Sequence, residues 1–214
     1  GNFEITVVTD GVNRFKLPDD LVRNVKKEEV NAALLALHME PDVFIGPYNP
    51  IVVNTGQNLV LIDTGTGEAA FQSTKGSSGQ LTTNLAAAGI DPKAIDTVII
   101  SHYHGDHVNG LLKADNSLAF PNAEILVPVT EWKFWMDDGE MSKGVGNPIL
   151  ENNFKNIRRV FDALGRKVTQ YDAGKEVVPG ITAIASPGHT PGHTSFVVAS
   201  GAEKVLVQVD ITAG

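Results

Sequence analysis

Hydrophobic and polar positions alternate through the first residues of the chain. Phe3, Ile5 and Val7 recur at a period of two, which predicts a half-buried strand over 3–9, ended by the turn signal Asp10-Gly11. The period then changes. Val30, Ala33, Leu34 and Leu37 recur as one face of a helix over 22–37, and Pro41 stops it. Two β-branched runs, 50–54 and 58–63, predict a hairpin around Gly56, and Asp63-Thr64-Gly65-Thr66-Gly67 closes the second run as a glycine-rich loop. A helix is expected over 79–88, ended by Gly89, with a turn at Asp91-Pro92. The next run, 96–100, contains Val98-Ile99-Ile100 without a polar break, as a strand covered on both faces requires. Beyond it, helices are predicted at 106–113, 130–137 and 150–164, and strands at 123–127, 167–171, 181–186, 195–198 and 204–209. Two groups of strands separated by helices predict an α/β architecture: an αββα sandwich of two mixed sheets packed face to face, with helices outside.

Composition narrows the function classes. A chain of 214 residues without low-complexity stretches fits one domain over 1–214, large enough to bury a core without staples. A net charge of −8 and the lack of any Lys/Arg cluster argue against nucleic acid as a partner. With no cysteine, a metal ion would have to be held by histidine and carboxylate alone. No apolar run approaches the roughly 18–20 residues that span a bilayer, so no membrane partner is expected.

The segment His102-Tyr103-His104-Gly105-Asp106-His107 follows the continuous apolar strand directly. In extended backbone, His102 and His104 project to the same side and can hold one ion. Asp106 and His107 fall where Gly105 lets the chain turn into a helix, so they point differently and can serve a second ion. Imidazole and carboxylate suit zinc, iron, manganese or cobalt, and this donor set does not choose among them. A second block, Pro187-Gly188-His189-Thr190-Pro191-Gly192-His193-Thr194, spaces two histidines four apart, but its prolines and glycines exclude a helix.

These blocks, preceded by Asp63-Thr64-Gly65 and followed by Asp210, resemble the His-x-His-x-Asp-His pattern and the later ligand blocks of the metallo-β-lactamase superfamily. The resemblance implies two divalent ions, zinc first: one on His102, His104 and His189, another on Asp106 and His107, with Asp210 bridging. It implies supporting roles for Asp63 and His193, for which a loop cap and a turn contact are the structural alternatives. The implied chemistry is hydrolysis of an ester-type bond by a metal-bridging hydroxide, with Asp106 as catalytic residue orienting it and passing a proton to the leaving group. His107 and Asp210 stand where β-lactamases differ, so the pattern is nearer to lactonases and to phosphotriester hydrolases of the methyl parathion hydrolase type. A glyoxalase-II-like thioesterase, a β-lactam hydrolase and a non-catalytic metal-binding module are the alternatives.

Phe44 and Tyr48, in a Gly/Pro-containing loop, and Trp132 and Trp135, in a helix, are candidate walls of a pocket for a small-molecule ester, with core packing the competing role for the tryptophans. Two departures from the family pattern stand out. Val209 precedes Asp210 where relatives have glycine, and the chain stops at Gly214, before the further histidine and closing helices of relatives. The expectation is therefore a domain without its C-terminal closing segment, a weaker second ion and reduced activity. By the same resemblance, a periplasmic or secreted location is preferred, and a homodimer is a candidate assembly.

Overall fold

The computed structural model describes residues 1–212; the last two residues of the expected domain, 213–214, lie outside the described residues. Twelve strands are formed among them: β1 Glu4–Val7, β2 Gly11–Lys16, β3 Val43–Tyr48, β4 Ile51–Asn54, β5 Leu59–Ile62, β6 Thr97–Ile99, β7 Glu124–Pro128, β8 Thr169–Tyr171, β9 Glu176–Val178, β10 Ile181–Ala185, β11 Thr194–Ser200 and β12 Glu203–Val207. The helices are α1 Lys27–Ala36, α2 Glu68–Ser73, α3 Leu81–Ala87, α4 Gly105–Val108, α5 Val129–Trp135, α6 Asp138–Lys143 and α7 Pro148–Ala163. None is long and apolar enough to cross a membrane.

Six strands form one sheet in the order β1-β4-β5-β6-β7-β8, antiparallel at the β1 edge and parallel from β5 to β8. Four more form an antiparallel sheet, β12-β11-β10-β9, and β2 pairs with β3 in a separate two-stranded antiparallel ladder. Side chains alternate across the central strands. Leu61, Val98 and Val127 enter a core under α3, α5 and α7, whereas Val60, Ile99 and Leu126 enter a second core against Phe196, Val198 and Ile181 of the other sheet. The continuous apolar run of β6 is thus explained by burial on both faces.

Among the described residues, helices α3, α5 and α7 bury side chains in the core that lies on the six-stranded sheet. Leu206 pairs with Val197, and Val197 with Thr182, so Leu206, Thr182 and Ile184 share the outer face of the four-stranded sheet, where Ile184 and Leu206 are 39% and 58% exposed. The expected outer helix layer on that side is not formed by the described residues. Residues 43–48, read as a loop, are strand β3, because Phe44 can stack on Phe15 of β2 at 4.9 Å. The helix over 22–37 is shorter, beginning at Lys27 and burying no residue, since its apolar face meets no large partner surface. The helix over 106–113 ends at Val108 and continues as a 3-10 turn, Asn109–Leu111. There, a Cβ on Gly110 would lie 1.8 Å from the Thr64 carbonyl, so the glycine-rich loop presses directly on the chain. Short elements such as α2, α6 and β9 span too few residues to establish a period.

Asp10, read as a turn residue, fixes that loop. Fully buried, its carboxylate accepts from Thr66 N–H (2.8 Å), Thr66 Oγ–H (2.7 Å) and Leu81 N–H (2.9 Å). Gly65, at φ 71°, has no room for a side chain, because a Cβ would come within 2.4 Å of the Asp10 carboxyl carbon. Removing the carboxylate strands these donors in the interior. Asp10→Ala is expected to lower the unfolding free energy by roughly 3 kcal/mol in urea titration, whereas a surface exchange such as Asp20→Ala changes it by about 0.5 kcal/mol or less.

Candidate metal centre

The carboxyl ends of β5 and β6 deliver the first ligand residues. Asp63 leaves β5 with its N–H held by the Ile99 carbonyl (2.9 Å) and φ of 60°, turning its carboxylate toward the end of β6. There it accepts from Ser101 N–H (2.8 Å), Ser101 Oγ–H (2.7 Å) and His107 Nδ1 (2.9 Å). Ser101 Oγ in turn lies 3.0 Å from His102 Nδ1. With Ser101 donating to Asp63, His102 donates from Nδ1 to the serine, and both His102 and His107 present Nε2 away from Asp63. Ser101 was not singled out from the sequence, since a serine beside a histidine carries no distinctive signal.

Four further imidazoles surround His102, with ring centroids at 4.9 Å (His104), 4.0 Å (His107), 4.9 Å (His189) and 5.0 Å (His193). His104 Nδ1 approaches His189 Nε2 at 2.9 Å. His102, His104 and His189 each offer a nitrogen within 4.8 Å of the others, and so do His102, His107 and the Asp210 carboxylate. Asp106 belongs to neither group; its Oδ2 lies 3.7 Å from His107 Nε2, at the rim. The Asp210 Oδ2 stands between the two sets, 3.4 Å from His189 Nε2 and 3.3 Å from His107 Nε2.

His193 is engaged differently. Its Nε2 accepts the Asp210 N–H (3.1 Å), while Nδ1 meets Ser186 Oγ (2.8 Å) and the Ser186 carbonyl (3.1 Å), so both nitrogens are occupied within the protein. This bond locks the turn that carries Asp210. Val209 sits in that turn at φ 55°, a left-handed conformation costly for a β-branched residue, which is the physical reason glycine suits the position.

Electrostatics separate the histidines. Burial, reinforced by the neighbouring imidazoles His107, His104 and His189, holds His102 well below the ordinary histidine value. Burial and His189 lower His104 to about 4. For His107, burial opposes the charged form, but the Asp63 charge and hydrogen bonds to Asp210 and Asp63 outweigh it and raise the group well above its usual value. Partial burial opposes the charged form of Asp210, yet the bond and charge of His107 bring it below the usual carboxylate range.

The residues fit divalent cations. His102 Nε2 is fully buried without a hydrogen-bond partner and points into the cluster, a costly arrangement for a polar atom unless an ion satisfies it. Nitrogen and carboxylate donors without thiolate match the zinc-type donor set. Beside the cluster opens a cavity of about 590 Å³, lined by Phe44, Tyr48, Asp106, His107, His189 and Asp210. Trp132 and Trp135 do not line it. Helix α5 turns them toward α7, where Trp135 is 2% exposed and 4.7 Å from the Phe154 ring and Trp132 is 5.7 Å from the Phe161 ring; packing against these rings excludes both from a wall role.

Because Asp63 and Asp210 favour the charged form of His107, the metal-free site is expected to hold a proton there that an ion on Nε2 must displace. Zinc binding is therefore expected to release about one proton or more, measured calorimetrically in buffers of different ionisation enthalpy. Asp63→Asn, which removes the charge that holds this proton, is expected to reduce the release. Proton-neutral binding by the unaltered chain would contradict this assignment.

The chain is similar to known proteins in sequence and in fold. The family model described as "Metallo-beta-lactamase superfamily" matches residues 44–207. N-acyl homoserine lactonase AiiA of Bacillus thuringiensis subsp. kurstaki is 27% identical over 175 residues, covering 74% of this chain and 61% of AiiA. N-acyl homoserine lactonase AttM of Agrobacterium fabrum is 31% identical over 120 residues, covering 53% of this chain and 40% of AttM. Among solved structures, the dizinc quorum-quenching lactonase AidC, in complex with a product, has a TM-score of 0.84 at 26% identity, covering 96% of this chain and 70% of AidC. The hydrolase AbOPH has a TM-score of 0.83 at 28% identity, with the same coverage of 96% and 70%. The chain spans about three fifths of the length of the first lactonases it matches. Its histidine cluster thus stands on a shared fold, and the chain belongs to the metallo-beta-lactamase superfamily.

Proposed function

We propose that this chain carries the metal centre of a hydrolase that opens lactone rings. The observation that supports this most is the pair of ligand sets sharing His102, whose members His107, His189 and Asp210 line an open, partly apolar cavity. The lactonase identity of its relatives favours a lactone over the phosphotriester, thioester and β-lactam alternatives.

In this reading His102, His104 and His189 hold one divalent ion, and Asp106 and His107 hold another, with Asp210 between them. Zinc is the first candidate, as in AidC. The ions, when bound, supply Lewis acidity at the ester carbonyl and hydroxide near neutral pH. Asp63 keeps His102 and His107 in the tautomer that leaves Nε2 free. Asp106, at the cavity edge, accepts a proton from the attacking nucleophile and returns it to the departing ring oxygen as the ester bond breaks.

The cavity wall completes the assignment. Burial and the nearby Asp106 charge raise the Tyr48 phenol, so it remains protonated and able to donate to a substrate oxygen. Phe44, braced by Phe15, offers an apolar surface for an acyl chain.

Hydrolysis of N-hexanoyl homoserine lactone, followed by acid release in a weakly buffered indicator assay of the zinc-loaded protein, tests the reading. Turnover is expected, and His104→Ala or His189→Ala should lower kcat/KM by at least about a hundredfold. Zinc retained without turnover of lactone, thioester, phosphotriester or β-lactam would instead make the chain a metal-binding module. Phe44→Ala should raise KM for the hexanoyl substrate about fivefold with kcat changed by less than about twofold, since the contact is the same before and during reaction.

A further inference from the structure

Glu131 lies in α5, outside every ligand block, yet it is fully buried. Its Oε2 accepts from Tyr103 N–H (2.9 Å) and Trp135 Nε1–H (2.9 Å), and its Oε1 accepts from Gly192 N–H (2.6 Å). Tyr103 stands between His102 and His104. Gly192 stands between His189 and His193. One carboxylate therefore joins the two segments that bring His102, His104 and His189 together, although nearly ninety positions separate them in sequence.

The contact is shaped as well as hydrogen-bonded. A Cβ on Gly192 would fall 2.6 Å from the Glu131 backbone nitrogen and 2.8 Å from Thr130 Cβ, so only glycine lets the second histidine loop close on α5. Among the described residues the other direct backbone tie nearby is Thr194 N–H to the Ser101 carbonyl (3.1 Å), so apart from the side-chain approach of His189 to His104 the stretch from 187 to 192 meets the first ligand segment through Glu131. All three groups facing Glu131 are donors. A glutamine there could turn its oxygen to either side, but its amide would then oppose at least one N–H.

We infer that Glu131 is a positioning residue that holds the His102/His104 segment and the His189 loop at metal-binding separation by accepting a hydrogen bond from the backbone of each. This rests on the reading that the cluster holds a metal. Zinc binding by the unaltered chain tests that reading, whereas the ratio of affinities between variants tests this one.

The affinity for zinc alone is to be measured by competition with a chromophoric chelator, together with the thermal midpoint of each metal-free variant. Glu131→Gln is expected to weaken zinc binding about tenfold or more. Gly192→Ala forces the second loop away while retaining the carboxylate and is expected to do the same, keeping the test decisive if Glu131→Gln does not fold. Trp135→Phe removes a donor that carries no ligand segment, and Ile157→Val loosens the same core away from the carboxylate. Both are expected to lower the thermal midpoint with zinc affinity within about threefold. The cobalt-substituted visible spectrum should shift for Glu131→Gln and Gly192→Ala and be unchanged for the two controls. Zinc affinity within threefold of the unaltered chain for Glu131→Gln, or for Gly192→Ala where Glu131→Gln does not fold, would overturn the inference. So would an equal loss in the controls, which would make Glu131 a stability element only.

Discussion

The site depends on hydrogen bonds from Asp63 to the end of β6. Imidazole nitrogens crowded at the carboxyl ends of parallel strands repel one another when charged and lose hydration when neutral. Asp63 resolves this on one side by accepting from Ser101 and His107, leaving the unpaired Nε2 of His102 aimed at a common point. That geometry requires the β5 and β6 ends to be fixed side by side. The parallel pairing of Ile62 with Ile99, inside a layer closed by Phe196 and Ile181, fixes them.

From this follows a division of labour between buried acids and the cluster. Asp10 shapes the glycine-rich loop, Asp63 orients histidines, and Glu131 reaches both ligand segments; each spends its oxygens on donors within the protein. Asp106 and Asp210, more open, face the cavity instead. The apolar core thus fixes where the strand ends lie, and the buried carboxylates fix which way the ligand side chains point.

Much of this was legible from residue order. The unbroken run Val98-Ile99-Ile100 is what a strand buried on both faces calls for, and the spacing after it put His102 and His104 on one side, whereas His189 and Asp210 were joined to them only by the family resemblance. Phe44 and Tyr48 were recognised as wall candidates, but their strand was not, because Gly46 and Pro47 obscure its alternation and its partner lies across the α1 segment. Trp132 and Trp135 could not be assigned from spacing, since a helix face looks the same whether it meets a cavity or Phe154. Glu131 was invisible for a related reason. A charged residue in an amphipathic segment reads as solvated until the donors of Tyr103 and Gly192 are brought to it by tertiary structure. Asp106 also gained definition only in three dimensions, where it stands at the rim rather than within either tight ligand set.

On the proposed reading the cluster holds two ions, with ligands drawn from the 102–107 segment, the His189 loop and Asp210. Anomalous scattering at the zinc absorption edge from crystals of the zinc-loaded protein tests it most directly. Two peaks are expected, one enclosed by His102, His104 and His189, the other beside Asp106 and His107, with Asp210 between them. A single peak on other residues, or none at saturating zinc, would contradict it.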